Sequence, residues 1–337
     1  MCGDENFCYP GLDDYGRRRY GKPFNCSLLP YIKQYHLTER ESQATPNDYE
    51  TLNDTWIPVF ATSVSDNHFG ELRKMAKNIL KIFGNFKLIV YDLGLNSTNV
   101  KELSSWCQVE YRKFNFSKYP PHVTNLFNYA FKMTIIETLQ DTKTFFYLDS
   151  SGRFDRKSHI QILHHVKNGT IPPLAIFTRT WHSVYSTTHP GMFEYLPLPR
   201  HYAELVEYQA VLFVSDSPYT RKALKWYTLC ALTQNCIQPV GSKQQCQYPY
   251  RKMNVSIDDE NAVETIMQSR YIVTDYLKCH RYDQSFWNIF WITMLFDPEE
   301  RWAAKLFKLK EWPEILTRKF VIDIGRRRQL MWRTYEW

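Results

Sequence analysis

The residues that first suggest chemistry are Asp149, Ser150 and Ser151, which follow an apolar run at 144–148. A short apolar run bounded by turn residues predicts a strand that is buried on both faces. In open α/β sheets, ligands bind just beyond the carboxyl ends of such strands. We therefore expect Asp149 to lie where a polar ligand arrives, although an aspartate in this position is also typical of a turn or a helix cap.

The elements that would position Asp149 alternate between strand and helix. Residues of strand type lie at 56–63, 86–91, 109–116, 144–148, 173–177 and 208–214. Apolar stripes at helical spacing lie at 69–82, 100–106, 120–136 and 219–232, with an acidic helix at 258–268 and an aromatic one at 285–295. A loop rich in Trp, His, Tyr and Pro is expected at 178–203. This alternation predicts an α/β fold, with a mostly parallel, doubly wound sheet flanked by helices.

Composition excludes some classes of protein. Hydrophobic residues make up 44% and aromatic residues 16% of the 337 residues, which excludes a wholly disordered chain. The formal charge of +7 suits a protein that handles anionic small molecules, and it also suits contact with nucleic acid or membrane. The two Gly-Arg-Arg-Arg runs, at 16–19 and 325–328, have no nucleic-acid-binding motif between them. No nucleic-acid partner is predicted.

Two further features indicate the secretory pathway. Asn-X-Ser/Thr acceptors occur at Asn25, Asn53, Asn96, Asn115, Asn168 and Asn254, whereas about two would be expected by chance. The eight cysteines are even in number and contain no Cys-x-x-Cys pair, so disulfides are expected rather than zinc. Free buried thiols with accidental acceptor sites are the alternative. We expect a Golgi-lumenal or extracellular location.

The first residues do not form a signal peptide, and no apolar run is long enough to span a bilayer. A truncated reading frame and a domain of a membrane-anchored parent both stay open as explanations.

Three groups of residues carry a resemblance to a known family. The segment 129–132 followed by 146–151 resembles the lysine-bearing helix and the Asp-X-Asp strand of glycogenin-like, family-eight glycosyltransferases, which have the GT-A (Rossmann-like) fold. Residues 283–288 match the later Asp-Gln-x-x-x-Asn element of these enzymes. Residues 91–95, 112–120 and 148–151 resemble more closely an uncharacterised metazoan family of unknown function, which is expanded in nematodes and is regarded as glycosyltransferase-like.

The resemblance implies roles for particular residues. Asp283 and Gln284 would contact the donor sugar as catalytic residues. The residues that would bind the donor nucleotide are Lys132, Asp92, Ser63 and Asp149. The residues that would meet the acceptor are Trp181, His182 and Gln209, with His189 in the same loop. For each position a structural role is the alternative, such as an exposed lysine for Lys132 or a helix cap for Asp283.

The chain departs from the resembled pattern in its metal site. GT-A enzymes use Mn²⁺ or Mg²⁺ to bridge the Asp-X-Asp carboxylates and the diphosphate of a UDP-sugar. By resemblance, Asp149 and Ser151 would be the metal ligands, but the motif here is Asp-Ser-Ser. A neutral hydroxyl is a poor substitute for a carboxylate, and the family's C-terminal His-x-x-Gly-x-x-Lys motif is absent from the sequence. We therefore expect either a lower metal affinity or an activity that needs no metal.

The sequence thus predicts a stem-like extension at 1–54, a single GT-A-like glycosyltransferase domain at 55–300, and a basic aromatic extension at 301–337. The predicted activity is transfer of a hexosyl unit from a nucleotide sugar, UDP-linked by expectation, to a glycan or glycoprotein. The alternative is an inactive relative that only binds glycans, and Ser151 is its best support.

Overall fold

A computed structural model describes residues 1–247 and 274–297 of the protein. Within these ranges two short strands pair with each other, β1 (Pro10–Leu12) and β2 (Arg18–Tyr20). The central sheet contains β3 (Val59–Val64), β4 (Lys87–Asp92), β5 (Val109–Lys113), β6 (Thr144–Leu148), β7 (Leu174–Ser183) and β8 (Val206–Ser215). Its order is β5-β4-β3-β6-β8-β7, and β8 alone runs antiparallel to its neighbours. The predicted mostly parallel α/β sheet is confirmed.

Helices connect and cover these strands. The α-helices are α1 (Leu29–Gln34), α2 (Glu39–Gln43), α3 (Phe69–Phe83), α4 (Ser97–Ser104), α5 (Thr134–Leu139), α6 (His159–Lys167), α7 (Val184–Thr187), α8 (Met192–Tyr195), α9 (Arg200–Ala203), α10 (Pro218–Ala231), α11 (Gln234–Ile237) and α12 (Asp283–Phe296). Short 3₁₀ helices lie at Cys26–Leu28, Asp48–Glu50, Asp66–His68, Phe116–Lys118, Pro121–Thr124, Leu126–Asn128 and Ala130–Met133. Across the described ranges, no helix combines the length and the apolar character that a bilayer span requires.

Strand β6 lies in the middle of the core, and all its side chains are buried, as predicted. The ring of Phe146 packs against Phe60 of β3 and Phe213 of β8, with centroids 5.7 and 5.3 Å away. Burying an aromatic side chain of this kind contributes about 1.5–3 kcal/mol. The chain leaves this rigid strand at Asp149, at the carboxyl edge of β3 and β6.

The region 120–136 does not form the single helix that its apolar spacing predicts. It contains three successive 3₁₀ helices and the short α5. Asn125 and Asn128 interrupt the helix because their side-chain oxygens accept hydrogen bonds from the backbone N–H groups of Phe127 and Ala130. Tyr129 has a left-handed backbone with φ of 59°. The resulting turn changes the direction of the chain immediately before Lys132.

The predicted loop at 178–203 is also partly wrong. Strand β7 continues to Ser183, and α7, α8 and α9 follow it. β7 stays paired with β8 as far as Ser183 and Val206, with register shifts beyond Phe177. A partner strand thus holds a segment whose composition favours a loop. The acidic helix predicted at 258–268 and the extension at 301–337 lie outside the described residues.

Residues 1–54, predicted to be stem-like, pack on this domain. Phe7, Tyr9 and Ile32 are buried in the same hydrophobic core as the sheet. The ammonium of Lys225 on α10 lies 2.6 Å from Glu5 and 3.1 Å from Glu39. The segment is therefore part of the folded unit, and a domain boundary near residue 54 stays a prediction.

Six of the eight cysteines form disulfides. The pairs are Cys2–Cys26, Cys230–Cys236 and Cys246–Cys279, and Cys8 and Cys107 are unpaired. The first bond lies within the N-terminal segment, and the third joins two residues 33 positions apart.

Gly11 and Gly21 allow the N-terminal segment to approach the backbone at Pro197 and Tyr195 closely. A Cβ atom on Gly21 would lie 1.9 Å from the backbone oxygen of Tyr195. We expect Gly21→Ala to lower the free energy of unfolding by about 1–3 kcal/mol, because the two backbones must separate. Urea denaturation followed by circular dichroism measures this loss.

Gly70→Ala is the matched control. A Cβ atom at Gly70, near the start of α3, would meet no atom within 4 Å. This substitution should stabilise the protein by about 0.5–1 kcal/mol through helix propensity. Equal effects of the two substitutions would contradict the docked position of the N-terminal segment.

Candidate functional site

Lys132, Asp149 and Asp283 form a buried ion cluster, called here the Lys–Asp triad. The Nζ atom of Lys132 lies 2.8 Å from Oδ1 of Asp149 and 2.7 Å from Oδ2 of Asp283. The two carboxylate oxygens are therefore no farther apart than the sum of these distances. Asp149 and Asp283, which the resemblance assigns to one donor, therefore face one point, and Lys132 faces the same point.

Each member of the triad comes from a different element. Asp149 follows the carboxyl end of β6, and Asp283 is the first residue of α12. Lys132 lies in the 3₁₀ turn Ala130–Met133, which begins at the left-handed Tyr129. Residues 132 and 283 are 151 positions apart in the chain, and the fold brings them together at the carboxyl edge of the sheet.

Aromatic rings and hydroxyl groups hold the ammonium in place. The ring centroids of Tyr129 and Tyr147 lie 5.3 and 6.0 Å from Nζ of Lys132, within the range of a cation–π interaction. The hydroxyl of Tyr147 hydrogen-bonds with Ser63 at 2.9 Å and with Thr134 at 3.0 Å. Ser63, predicted to contact the donor, thus orients a ring beneath the triad. Burial raises the pKa of Tyr147 to about 12, so this hydroxyl stays neutral.

The triad keeps its charges because the three groups compensate one another. Burial alone would lower the pKa of Lys132, but the carboxylates of Asp149 and Asp283 override it and raise that pKa well above its usual value. Burial raises the pKa of Asp283, while the ammonium of Lys132 opposes the shift. The side chain of Asp149 is 23% exposed, against 8% for Lys132 and 9% for Asp283. Of the three, Asp149 is the group that a ligand can reach.

Gln284 and His182 meet at a second buried carboxylate, Glu207 on β8. The amide of Gln284 donates a hydrogen bond of 2.6 Å to Oε2 of Glu207, and Nδ1 of His182 lies 3.0 Å from the same atom. Glu207 is fully buried, and its other oxygen has no hydrogen-bond partner among the described residues. The sequence analysis missed Glu207. The signal that could have identified it is a carboxylate in β8, whose ten residues contain no other acid.

The Asp-Gln-x-x-x-Asn spacing has a structural explanation. Asp283, Gln284 and Asn288 each contact a residue outside α12. Asn288 accepts a hydrogen bond from the backbone N–H of Tyr208 and donates one to its carbonyl, both at 2.8 Å. Asp283 meets Lys132, and Gln284 meets Glu207. The helix is therefore tied to β8 where the pairing of β8 with β7 becomes irregular.

Other predicted site residues are placed elsewhere. Asp92 accepts hydrogen bonds from the backbone N–H groups of Gly94 and Leu95, at 2.7 and 2.6 Å, and from the hydroxyl of Tyr111 at 2.8 Å. These are the contacts of a turn aspartate, the structural alternative given above. His189 accepts a hydrogen bond from the N–H of Gly191, and burial lowers its pKa. The side chains of Trp181 and Gln209 lie outside the described part of the structure.

The described residues do not fit a divalent metal ion. They contain no group of three His, Cys, Asp or Glu side chains able to hold one. Oδ1 of Asp149 already contacts the ammonium of Lys132, and Ser151 offers a neutral hydroxyl. The prediction that Asp149 and Ser151 together bind a metal ion therefore stays a prediction.

A cavity of about 360 Å³ lies away from the triad, between the N-terminal segment and α5. Its lining includes Arg112, Lys118 and Glu137. Arg112 is paired with Asp141 at 2.8 Å, and Lys118 lies 3.9 Å from Glu137. The triad is the stronger candidate for chemistry because it lies at the carboxyl edge of β6, where ligands of open α/β sheets bind.

One protein-family profile matches the N-terminal part of the chain. Residues 3–137 match the profile of a family described as "Protein of unknown function (DUF1647)". The matched region contains the N-terminal segment, β3 to β5 and Lys132, and it ends before Asp149. No curated protein matches the chain.

Several solved glycosyltransferase structures are weakly similar. They include the galactosyltransferase LgtC with donor and acceptor sugar analogues (14% identity, TM-score 0.35, covering 74% of this chain and 100% of that chain). Mouse xyloside xylosyltransferase 1 matches at 11% identity and TM-score 0.38, over 72% and 84% of the two chains. Core-mannan synthase A of Aspergillus fumigatus, in an Mn/GDP form, matches at 9% and 0.35, over 56% and 68%.

The chain spans 62% of an active-site mutant of LgtC. TM-scores of this size do not establish a common fold. The interpretation of the site therefore depends on the geometry of this chain.

The triad predicts a large effect of removing its cation. Lys132→Ala leaves two carboxylates close together and mostly buried, so we expect the free energy of unfolding to fall by about 3–5 kcal/mol. Urea denaturation measures the change.

Lys87→Ala is the control, because Lys87 forms an exposed ion pair with Glu110 at 2.6 Å. Its loss should change stability by about 0–1 kcal/mol. Similar losses for both variants would show that the triad is not the compensated cluster described above.

Proposed function

We propose that the protein is a glycosyltransferase that moves a hexosyl unit from a nucleotide sugar, UDP-linked by expectation, to a glycan or glycoprotein acceptor. The observation that carries this proposal is the convergence of Asp149, Asp283 and Lys132 at the carboxyl edge of the sheet. Ligands of open α/β sheets bind at that edge. The resemblance of the segments at 129–132, 146–151 and 283–288 to family-eight transferases supports the same reading.

In this proposal the chain's own residues bind and orient the donor. Asp149 accepts hydrogen bonds from donor hydroxyl groups, since it is the exposed member of the triad. Asp283 and Gln284 begin α12, a 14-residue helix whose positive dipole end lies at the triad and would favour donor oxygens there. Glu207 fixes the amide of Gln284, and His182, which the resemblance assigns to the acceptor, contacts the same carboxylate.

The alternative is a protein that binds glycans without transferring them. Ser151, in place of the second motif acid, favours this alternative. The two hypotheses differ in one measurable respect, because only a transferase releases UDP from a UDP-sugar.

Substitution at Asp149 tests the activity. With a donor identified from a panel of UDP-hexoses, Asp149→Asn should lower kcat for transfer or hydrolysis at least about a hundredfold, because the side chain is proposed to position the sugar. UDP release measures the rate. Wild-type turnover in this variant would exclude the site.

Asp54→Asn provides the control, since Asp54 is 73% exposed and contacts only the surface residue His164 in the described ion pairs. Its activity should equal that of the wild type. If the wild type binds UDP and glycans but releases no UDP from any donor, the glycan-binding alternative is correct.

We also propose a secretory-pathway location. All five acceptor asparagines in the described ranges are exposed. In three of them, Asn53, Asn115 and Asn168, the side-chain oxygen accepts hydrogen bonds from the N–H and hydroxyl of the Ser or Thr two positions on. The acceptor amides therefore lie on surface turns that can carry a glycan. The three disulfides fit an oxidising compartment.

Expression behind a signal peptide tests this location. We expect the mass to fall on enzymatic deglycosylation, and Asn53→Gln, Asn115→Gln and Asn168→Gln each to remove one glycan, because these side chains are exposed. Mass spectrometry of intact protein and peptides measures occupancy. Asn85→Gln, at an exposed asparagine without an acceptor motif, should leave the mass of the glycans unchanged. Eight free thiols and no glycan would contradict the assignment.

A further inference from the structure

The Lys–Asp triad has the arrangement of a small cation site, but its cation is an amino group of the chain. Two carboxylates from distant elements converge on Nζ of Lys132 at 2.8 and 2.7 Å. These are distances of charge-assisted hydrogen bonds, whereas carboxylate oxygens lie about 2.0–2.6 Å from Mg²⁺ or Ca²⁺.

A divalent ion cannot simply be added to this arrangement. An ion bound through Oδ1 of Asp149 would lie beside the ammonium, and two cations in a mostly buried site repel each other strongly. Ser151 cannot offset this repulsion because its hydroxyl is neutral. The described residues provide no third acidic or imidazole ligand.

Lys132 is also prevented from moving aside. Its side chain is 8% exposed and lies against the rings of Tyr129 and Tyr147. Tyr129 is itself held, because its hydroxyl accepts a hydrogen bond from Gln244 and its carbonyl accepts one from Tyr227. Tyr147 is held by Ser63 and Thr134. The ammonium is therefore a fixed part of the site.

We propose that Lys132 is the resident cation of this site and that the protein binds its ligand without a divalent metal. The inference rests on the proposed function, since it says which cation neutralises the two carboxylates of the donor site. Metal binding at this site can be tested without any donor. Removing the lysine should turn the site into one that accepts a metal ion.

Titration with Mn²⁺ alone, followed by electron paramagnetic resonance, tests the proposal. The wild type and Lys132→Arg, which keeps the positive charge, should bind Mn²⁺ only weakly and without a defined stoichiometry. Lys132→Ala leaves two converging carboxylates and should bind one Mn²⁺ at least about tenfold more tightly than the wild type. Mn²⁺ should also raise the Tm of this variant, because a ligand of the folded state stabilises it. Adding Asp283→Asn to Lys132→Ala should remove both effects.

Two outcomes would overturn the proposal. One is a stoichiometric Mn²⁺ site in the wild type that Asp149→Asn abolishes. The other is a folded Lys132→Ala protein that gains no Mn²⁺ binding.

Ser151→Asp keeps the proposal testable if Lys132→Ala does not fold. This variant retains the lysine and restores the motif acid, so its Mn²⁺ binding should improve over the wild type by less than tenfold. Full metal affinity in Ser151→Asp would show that Lys132 does not exclude the ion. Failure of the glycosyltransferase proposal would appear instead as absent UDP release, with the Mn²⁺ results unchanged.

Discussion

The ion pairs of Lys132 are the interaction on which the candidate site depends. Removing three charges from water is costly, and a buried ion cluster forms only where the surrounding structure already brings its members together. Here β6 brings Asp149 through its aromatic packing, and the turn after Tyr129 brings Lys132. The start of α12 brings Asp283. The triad is thus a consequence of the fold, and it also fixes the relative positions of three segments far apart in sequence.

Helix α12 must be held accurately for this arrangement to persist. Asn288 binds both backbone groups of Tyr208, and Gln284 binds Glu207. Both contacts are on β8, the strand that pairs with β6 and so lies next to Asp149. One strand therefore sets the distance between the end of β6 and the start of α12. Glu207 adds a further buried carboxylate to the site, and Nδ1 of His182 contacts it.

Local patterns in the sequence were sufficient where packing follows residue spacing. The apolar run at 144–148 and the stripe of α3 correctly predicted a buried strand and an amphipathic helix. They were insufficient at 120–136, where asparagine side chains compete for the backbone. The N-terminal segment has no periodicity, yet Phe7, Tyr9 and Phe24 are buried in the core. The contact of Lys132 with Asp283 was not predicted, because no spacing rule relates residues 151 positions apart.

The charges of the triad constrain what chemistry the site can perform. An ammonium is weaker than a divalent metal as an electrophile, because it offers a single charge and can act only through its hydrogen bonds. Here both aspartates already use it. Stabilisation of a departing diphosphate would therefore have to come from oriented N–H groups and positioning, which act without reorganisation in a site sheltered from water. The start of α12 brings the positive end of its helix dipole to the triad, where the N–H of Gln284 already donates to the carbonyl of Arg281. A rigid α12, anchored through Asn288 to β8, is consequently as necessary to the proposed reaction as the acids themselves.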